Sequence, residues 1–303
     1  MIIPSYRSRK TLPRTLQSLE VAAAGLDVET IVVEDADGRG PSWARNRGLD
    51  KAKGDFIFFC DADDTVRPQF FRKLIALLEE SGADLAISSF EMAPLKRDYN
   101  LSGRDEVRRV ALPAFLGYSL EDVRRWNSGG SLMARREMGS VCRCAFRRGF
   151  LRSNNIRFDE RARLYEDGMF LAECIAFAEK TASTREVLYD YVPGECGNMA
   201  TGTDSRRHWD YKFIALEARK RIDGATGGAV WEYCEASSVF SALEMMRLWR
   251  KAGLTLAEFR EGLSRYVGDG AVASALRRFP LSVRHPLVAA AVVFLRIWAA
   301  KHG

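Results

Sequence analysis

Asp61, Asp63 and Asp64 stand together directly after the apolar run Phe56-Ile57-Phe58-Phe59-Cys60. A run too dense in apolar residues to alternate reads as a strand buried on both faces. Its carboxylates then emerge at the strand's C-terminal edge, where ligands bind in open α/β sheets. Like charges this close repel unless a cation sits among them. A hard divalent metal with oxygen ligands, bridging to substrate phosphates, is the natural occupant. An Asp-x-Asp pattern alone is a weak signal, since Asp35-Ala36-Asp37 repeats it, and its position after a strand gives it meaning. Asp61, Asp63 and Asp64, Asp64 above all, have a competing use as caps of a helix beginning near Val66–Pro68.

The carboxylates need a scaffold, and the first part of the chain supplies one by alternating strand and helix. Ile2-Ile3 is a short strand, and Leu12, Leu16 and Leu19 mark one helix face. Thr30-Ile31-Val32-Val33 is a buried strand ending in Glu34-Asp35. After the loop at Gly38 and Gly40-Pro41, Ser42 caps a helix to about Lys53, and Gly54 stops it. A helix with Phe71, Leu74, Ile75 and Leu78 follows Pro68, and Asp84–Phe90 reads as another strand. Strands spaced by single helices imply right-handed βαβ units and a largely parallel sheet. Residues 91–140 read as a helix plus loops beside the sheet. Val141–Phe150 reads as a strand running into a helix, Phe170–Lys180 as a helix and Val187–Val192 as a late strand. The Gly-, Thr-, Asp- and Ser-rich stretch after Pro193-Gly194 reads as a mobile loop to 205, and helical patterns follow at 207–223, 229–251, 255–266, 270–278 and 286–300.

The 303 residues suffice for one large domain or two smaller ones. A composition 47% hydrophobic and 28% charged excludes overall disorder. The net charge of +6 suits an anionic ligand or membrane surface. No base-reading motif or stacking platform points to nucleic acid, so none is expected as a partner. Cys142-x-Cys144 is not zinc spacing, and only three histidines are present, so a structural zinc site is not expected and the six cysteines read as reduced cytosolic thiols. The start carries no signal-peptide pattern, and the opening strand is so short that the natural start is expected a few residues upstream. Leu287–Ala300 as a helix would span ~21 Å, short of the ~30 Å hydrocarbon core, so it does not read as a transmembrane helix.

Four ordered motifs together resemble the family 2 glycosyltransferases. They are Ile2-Ile3-Pro4-Ser5-Tyr6, then Ile31-Val32-Val33-Glu34-Asp35, then Ala44-Arg45-Asn46-Arg47-Gly48-Leu49 with Ala52-Lys53-Gly54-Asp55, and the Asp61–Asp64 cluster. A second block, Phe150–Phe158 and Tyr165-Glu166-Asp167-Gly168-Met169-Phe170, is similar to the same family's acceptor half. The resemblance implies an α/β, GT-A nucleotide-diphospho-sugar transferase fold with a mostly parallel central sheet and a C-terminal helical region. The expected division is a catalytic domain at 1–205, with a nucleotide-sugar half at 1–95 and an acceptor half at 96–205, and a helical region at 206–303.

The implied activity is metal-dependent, inverting transfer of a sugar from a nucleotide-diphospho sugar, UDP-linked, to a hydroxyl of a glycan or lipid-linked acceptor, in bacterial surface-polysaccharide synthesis. By the same resemblance Pro4 and Tyr6 line the base pocket, Asp35 accepts from the uracil N–H, Arg45 reaches the nucleotide or its phosphates, Asp61 approaches the ribose, and Asp63 holds Mn²⁺ or Mg²⁺. Asp167 is the implied base and Glu166 its neighbour. Each has a local alternative: a loop turn for Asp35, a solvated surface side chain for Arg45, and a helix-terminal acid for Glu166-Asp167. Arg206-Arg207-His208 can close over the diphosphate, with His208 as a third metal ligand, or simply begin a helix.

The chain departs from the family pattern in two places. The usual Asp-Asp-Gly-Ser after the second strand is Glu34-Asp35-Ala36-Asp37, and the Trp-Asn-Lys-like start expected near Cys142–Arg148 lacks both Trp and Lys. A sugar-phosphate nucleotidylyltransferase is the enzymatic alternative, but it calls for a Gly-rich loop after the first strand, and Ser5-Tyr6-Arg7-Ser8-Arg9 has no glycine. A degenerate nucleotide-sugar-binding or scaffold protein is the other. Leu287–Ala300, apolar nearly all round with Arg277, Arg278, Arg284 and Lys301 nearby, is either a core helix or a membrane-interface helix. The location implied is cytoplasmic, peripheral on the inner face of the membrane.

Overall fold

The computed structural model describes residues 1–92, 94–134, 136–192 and 204–302. The chain divides into two compact units, one of Met1–Ala111 with Glu137–Gly202 and one of Leu112–Arg136 with Thr203–Gly303. The segment 112–136, expected from sequence within the acceptor half, therefore groups with the C-terminal helices. The reason is packing, because Leu120 and Val123 are buried in the helical core.

The first unit runs β1 Ile2–Ser5, α1 Leu12–Ala23, β2 Ile31–Glu34, α2 Pro41–Lys51, β3 Phe56–Phe58, β4 Thr65–Val66, α3 Phe70–Ser81, β5 Leu85–Phe90 and β6 Leu101–Ser102. α4 Arg104–Phe115 crosses into the second unit, where α5 Leu120–Asn127 lies. The chain returns with β7 Cys144–Arg147, α6 Arg148–Ser153, α7 Glu166–Phe177 and β8 Lys180–Asp190. β1 pairs parallel with β2, Ile2 opposite Ile31 and Ser5 opposite Glu34. Ile2 also bridges Phe59 in parallel, and the Cys60 N–H donates to the Ile2 carbonyl at 3.1 Å. The C-terminal ends of β1, β2 and β3 thus share one edge, as the βαβ pattern requires. Beyond β3 the sheet is mixed, in the order β3-β7-β5-β8-β4. β5 and β8 are parallel, whereas β7 enters antiparallel between β3 and β5, and the short β4 and β6 pair antiparallel with β8.

Aromatic side chains fill the space behind β3. Phe59 meets Phe146, Phe158 and Phe170 edge-on, and Phe158 stacks on Phe170 at 4.0 Å. In the dense apolar run that marked β3, Ile57, Phe58, Phe59 and Cys60 are buried, as a strand covered on both faces requires. Two local expectations are corrected. α2 is opened not by Ser42 but by Gly40, at φ +106°, with Pro41 in its first turn, while the Ser42 hydroxyl donates to the Ala162 carbonyl. Asp64 does not cap α3, whose first flanking residue is Gln69, because Thr65-Val66 forms β4 instead.

The second unit continues with α8 Ser205–Ala225, α9 Glu235–Leu248, α10 Leu256–Val267, α11 Gly270–Arg278 and α12 Pro286–His302. Asp204, Thr255 and Asp269 cap α8, α10 and α11 with side-chain oxygens. Trp209, Val239, Met245, Leu263, Tyr266, Leu276, Val292 and Leu295 build its core. Among the described residues no helix is long and apolar enough to cross a membrane. The loop expected after Pro193 lies, through residue 203, outside the described residues. Cys60, Cys142, Cys144, Cys174 and Cys234 are free and buried.

Candidate active site

The turn after β3 is held by its backbone. The Asp64 N–H donates to the Asp61 carbonyl at 3.2 Å, Arg14 Nη2 to the Asp63 carbonyl at 2.7 Å and Thr15 Oγ1 to the Asp64 carbonyl at 2.7 Å. Tyr189, from β8, accepts from the Asp61 N–H at 3.2 Å and donates its hydroxyl to Asp64 Oδ2 at 2.5 Å. Asp64 also accepts from the Val192 N–H, so this buried carboxylate serves the turn itself. Burial pushes its pKa up to about 7, and the neighbouring Asp61 adds to the effect. Asp61 and Asp63 remain half-buried at the sheet edge.

Tyr189, which packs in the sheet, thus also shapes the acidic turn. That second task left no local signal in the sequence, because its partners lie 125 to 128 positions away.

Across from the turn, α7 begins with Glu166 and Asp167. Its first flanking residue, Tyr165, is left-handed at φ +55°. Gly139 lies so close to Gly168 that a Cβ on it would sit 2.8 Å from the Gly168 Cα. This approach brings the segment before β7 against α7, and the Val141 N–H donates to Asp167 Oδ2 at 3.4 Å.

Arg45, on α2, ties the two acidic groups together. Its Nη2 donates to Asp61 Oδ1 at 2.8 Å, and its Nη1 to Asp167 Oδ1 at 2.6 Å and to Glu166 Oε1 at 3.0 Å. The guanidinium also lies over the Phe158 ring at 5.3 Å. Its side chain is 3% exposed. It is therefore not the solvated surface group of the alternative reading, and the charges nearest to it are carboxylates. Burial opposes its charge, but the carboxylates of Asp167, Asp61 and Glu166 outweigh that and hold its pKa above the ordinary arginine range. Burial raises the Asp167 carboxyl to about 7, against the pull of Arg45 and with reinforcement from Glu166 and Asp61. An Asp with that pKa changes charge near neutrality, the range suited to a general base.

Pro4, Tyr6 and Asp35 lie at the ends of β1 and β2. Tyr6 is 45% exposed, and a Cβ on Gly38 would sit 3.5 Å from its ring, so ring and loop form one ledge. Arg7 stacks on the Tyr6 ring at 5.0 Å. Asp35 is buried, and its two oxygens accept from the Arg39 and Gly40 N–H groups, both at 2.7 Å. It therefore organises the loop that enters α2, the loop-turn alternative of the sequence reading. Arg163 braces the same loop, donating to the Gly38 carbonyl at 2.9 Å. Asp61, Arg45, Glu166 and Asp167 are thus in direct contact, Asp63 shares the Asp61 turn, and Pro4, Tyr6 and Asp35 occupy the same sheet edge. His208 sits on the first turn of α8, in the second unit.

Among the described residues no three or more His, Cys, Asp or Glu side chains are arranged to enclose a metal. The half-buried Asp61 and Asp63 fit a cation held by one or two protein oxygens and otherwise by substrate phosphates.

Comparison with known proteins places this arrangement. The family model for glycosyl transferase family 2 matches residues 36–138. The succinoglycan biosynthesis protein ExoO of Rhizobium meliloti is 26% identical, over 94% of this chain and 88% of the relative. The uncharacterized glycosyltransferase EpsJ of Bacillus subtilis is 28% identical, over 54% of this chain and 45% of its own. The crystal structure of S. aureus TarS 1-349 in complex with UDP covers 99% of this chain and 87% of its own, with a TM-score of 0.61 at 15% identity. Against the longer TarS chain the TM-score is also 0.61, and this chain spans about half of it, 53%. The chain thus has the GT-A fold, and over residues 36–138 it is similar to glycosyl transferase family 2.

Proposed function

We propose that this glycosyltransferase moves a sugar from a UDP-linked donor to a hydroxyl of a glycan or lipid-linked acceptor, with inversion at the anomeric carbon. Asp167 takes the proton from the attacking hydroxyl. Its neighbour Glu166 and the buried Arg45 fix its position and charge. Asp63 would hold a divalent cation, Mn²⁺ or Mg²⁺, which supplies charge stabilisation for the departing diphosphate. Tyr6 offers an aromatic face to the base, Pro4 backs it, and Asp35 keeps the adjoining loop in shape. Asp61 turns its half-exposed carboxylate toward the ribose. A single base with direct displacement gives inversion, since no protein nucleophile intervenes.

The similarity to TarS, whose structures include complexes with UDP and UDP-GlcNAc, supports a uridine nucleotide. The similarity to a succinoglycan biosynthesis protein supports a role in polysaccharide synthesis. The observation that carries the reading is the single buried guanidinium that joins Asp61 of the donor edge to Asp167 of α7.

One paired measurement tests it. Asp63→Ala is expected to abolish Mn²⁺-dependent UDP binding in a folded protein. Asp167→Asn is expected to keep UDP affinity while lowering turnover by at least about 10²-fold. Metal-dependent binding retained by Asp63→Ala, or turnover retained by Asp167→Asn, overturns the assignment of that residue.

A further inference from the structure

α12 has two apolar faces, and the second unit uses only one. Val292, Leu295 and Ala299 fill the helical core, and Arg296 ties the helix to α11 by donating to the Leu276 and Phe279 carbonyls. The other face is not polar. Leu287 is 86% exposed, Phe294 43% and Ile297 55%, and in the segment leading into the helix Val283 is 95% exposed. Leu287, Ala290, Phe294, Ile297 and Lys301 follow one another at spacings of three and four, so they form a single stripe along the helix. A contiguous apolar stripe on a surface helix marks a face that meets something apolar.

The charge around the stripe identifies that partner. From Gly270 to Gly303 the sequence contains Arg277, Arg278, Arg284, Arg296 and Lys301 and no Asp or Glu. Arg296 is used inward, and Arg278 pairs with Glu235 at 2.5 Å. Arg277, Arg284 and Lys301 are exposed. Arg284 lies just before the first turn of the stripe, and Lys301 lies one turn beyond Ile297. A second copy of the chain laid antiparallel on this face would bring Arg284 against Lys301, like charge on like. The 17 residues of α12 span about 25 Å and lie along a surface rather than through it. An apolar stripe with cationic ends and no acid is the composition of a helix lying in an anionic membrane interface.

We propose that α12 docks the enzyme on an anionic phospholipid surface, with Leu287, Phe294 and Ile297 at the headgroup–acyl boundary and Arg277, Arg284 and Lys301 on lipid phosphates. This goes beyond the transferase reading, because no residue assigned to donor or base lies on α12.

The test is co-sedimentation of the full chain with vesicles of phosphatidylcholine alone and of phosphatidylcholine mixed with phosphatidylglycerol. The chain is expected to partition at least about tenfold more strongly onto the anionic vesicles, and added salt is expected to weaken that preference. Leu287→Asp with Phe294→Asp is expected to lower partition by about tenfold or more at an unchanged thermal midpoint, since both side chains are exposed. Arg284→Glu with Lys301→Glu is expected to remove the anionic preference. Absence of vesicle binding by the unmodified chain, or equal partition after Leu287→Asp with Phe294→Asp, overturns the proposal. So does a dimer in sedimentation equilibrium that those substitutions dissociate, which would assign the stripe to a second copy. UDP binding by calorimetry on the same samples separates failure of this docking from failure of the transferase reading.

Discussion

Arg45 joins three carboxylates that approach it from two different parts of the chain, and its removal should be read in protonation as well as in stability. As the proposed base, Asp167 must be ionised to accept a proton, and burial has raised its pKa to about 7. The ionised fraction therefore grows as pH rises through 7, and kcat/KM should climb with pH up to that point and level off above it. Arg45 favours the ionised form. Arg45→Met should shift the ascending limb to higher pH, so the deficit is large at pH 7 and smaller at pH 9. Arg45→Lys should restore most of the original profile. An unmoved limb in a folded Arg45→Met variant would leave Arg45 with a structural role alone. The acids themselves were legible in the sequence, because residue type and position after a strand or before a helix carry their meaning. Their common partner was not. Arg45 and Asp167 are 122 positions apart, and nothing in the spacing of α2 announces an acid pair on α7. Asp35 shows the converse. Its partners are four and five residues away, and the sequence already offered that local turn as the alternative to base recognition.

At the scale of elements, the three strand ends lie at one edge because α2 can lie close against β1, and a single glycine permits that approach. Gly48 faces Ile2, and a Cβ there would sit 2.2 Å from Ile2 Cγ2 and 3.0 Å from Cγ1. Ile2 is buried and β-branched, so its side chain has little freedom to move aside. Overpacking of this kind costs about 1–3 kcal/mol. The helix propensity of Ala over Gly returns about 1 kcal/mol at most. A contact of 2.2 Å makes the steric cost the larger of the two. Gly48→Ala should therefore lower stability, seen as an earlier urea midpoint at an unchanged slope, and a later midpoint would mean that α2 is free to move off β1. The βαβ pattern made β1, β2 and β3 readable, together with their shared edge. The antiparallel entry of β7 was not readable. Cys144-Ala145-Phe146 is short and apolar, and such a run specifies a buried strand without specifying its direction or its neighbours.

At the scale of the molecule, the residues proposed for donor and base, Pro4, Tyr6, Asp35, Arg45, Asp61, Asp63, Glu166 and Asp167, belong to the first unit, while a separate hydrophobic cluster holds the second together. The helices of the second unit were legible from their periodicity. The inclusion of 112–136 was not, since α5 is a short amphipathic helix whose buried face, Leu120 and Val123, names no partner in sequence. This division of labour makes a packing defect in one unit a probe of the other. Leu263 is fully buried in the core that contains Trp209, Tyr266, Val267 and Leu276. Leu263→Ala removes apolar contacts and leaves a cavity, which costs about 2–5 kcal/mol depending on how far the site collapses. Calorimetric unfolding of this variant should show the loss in the transition that Mn²⁺ and UDP do not raise, because ligand linkage stabilises the unit that binds. At a temperature below both transitions the UDP dissociation constant should remain within about twofold of the original, since 1.4 kcal/mol is needed for a tenfold change and no donor contact has been touched. If the variant instead unfolds in one transition and loses UDP affinity in step with stability, the two units fold as a single cooperative body, and the donor edge depends on the helical core for its shape.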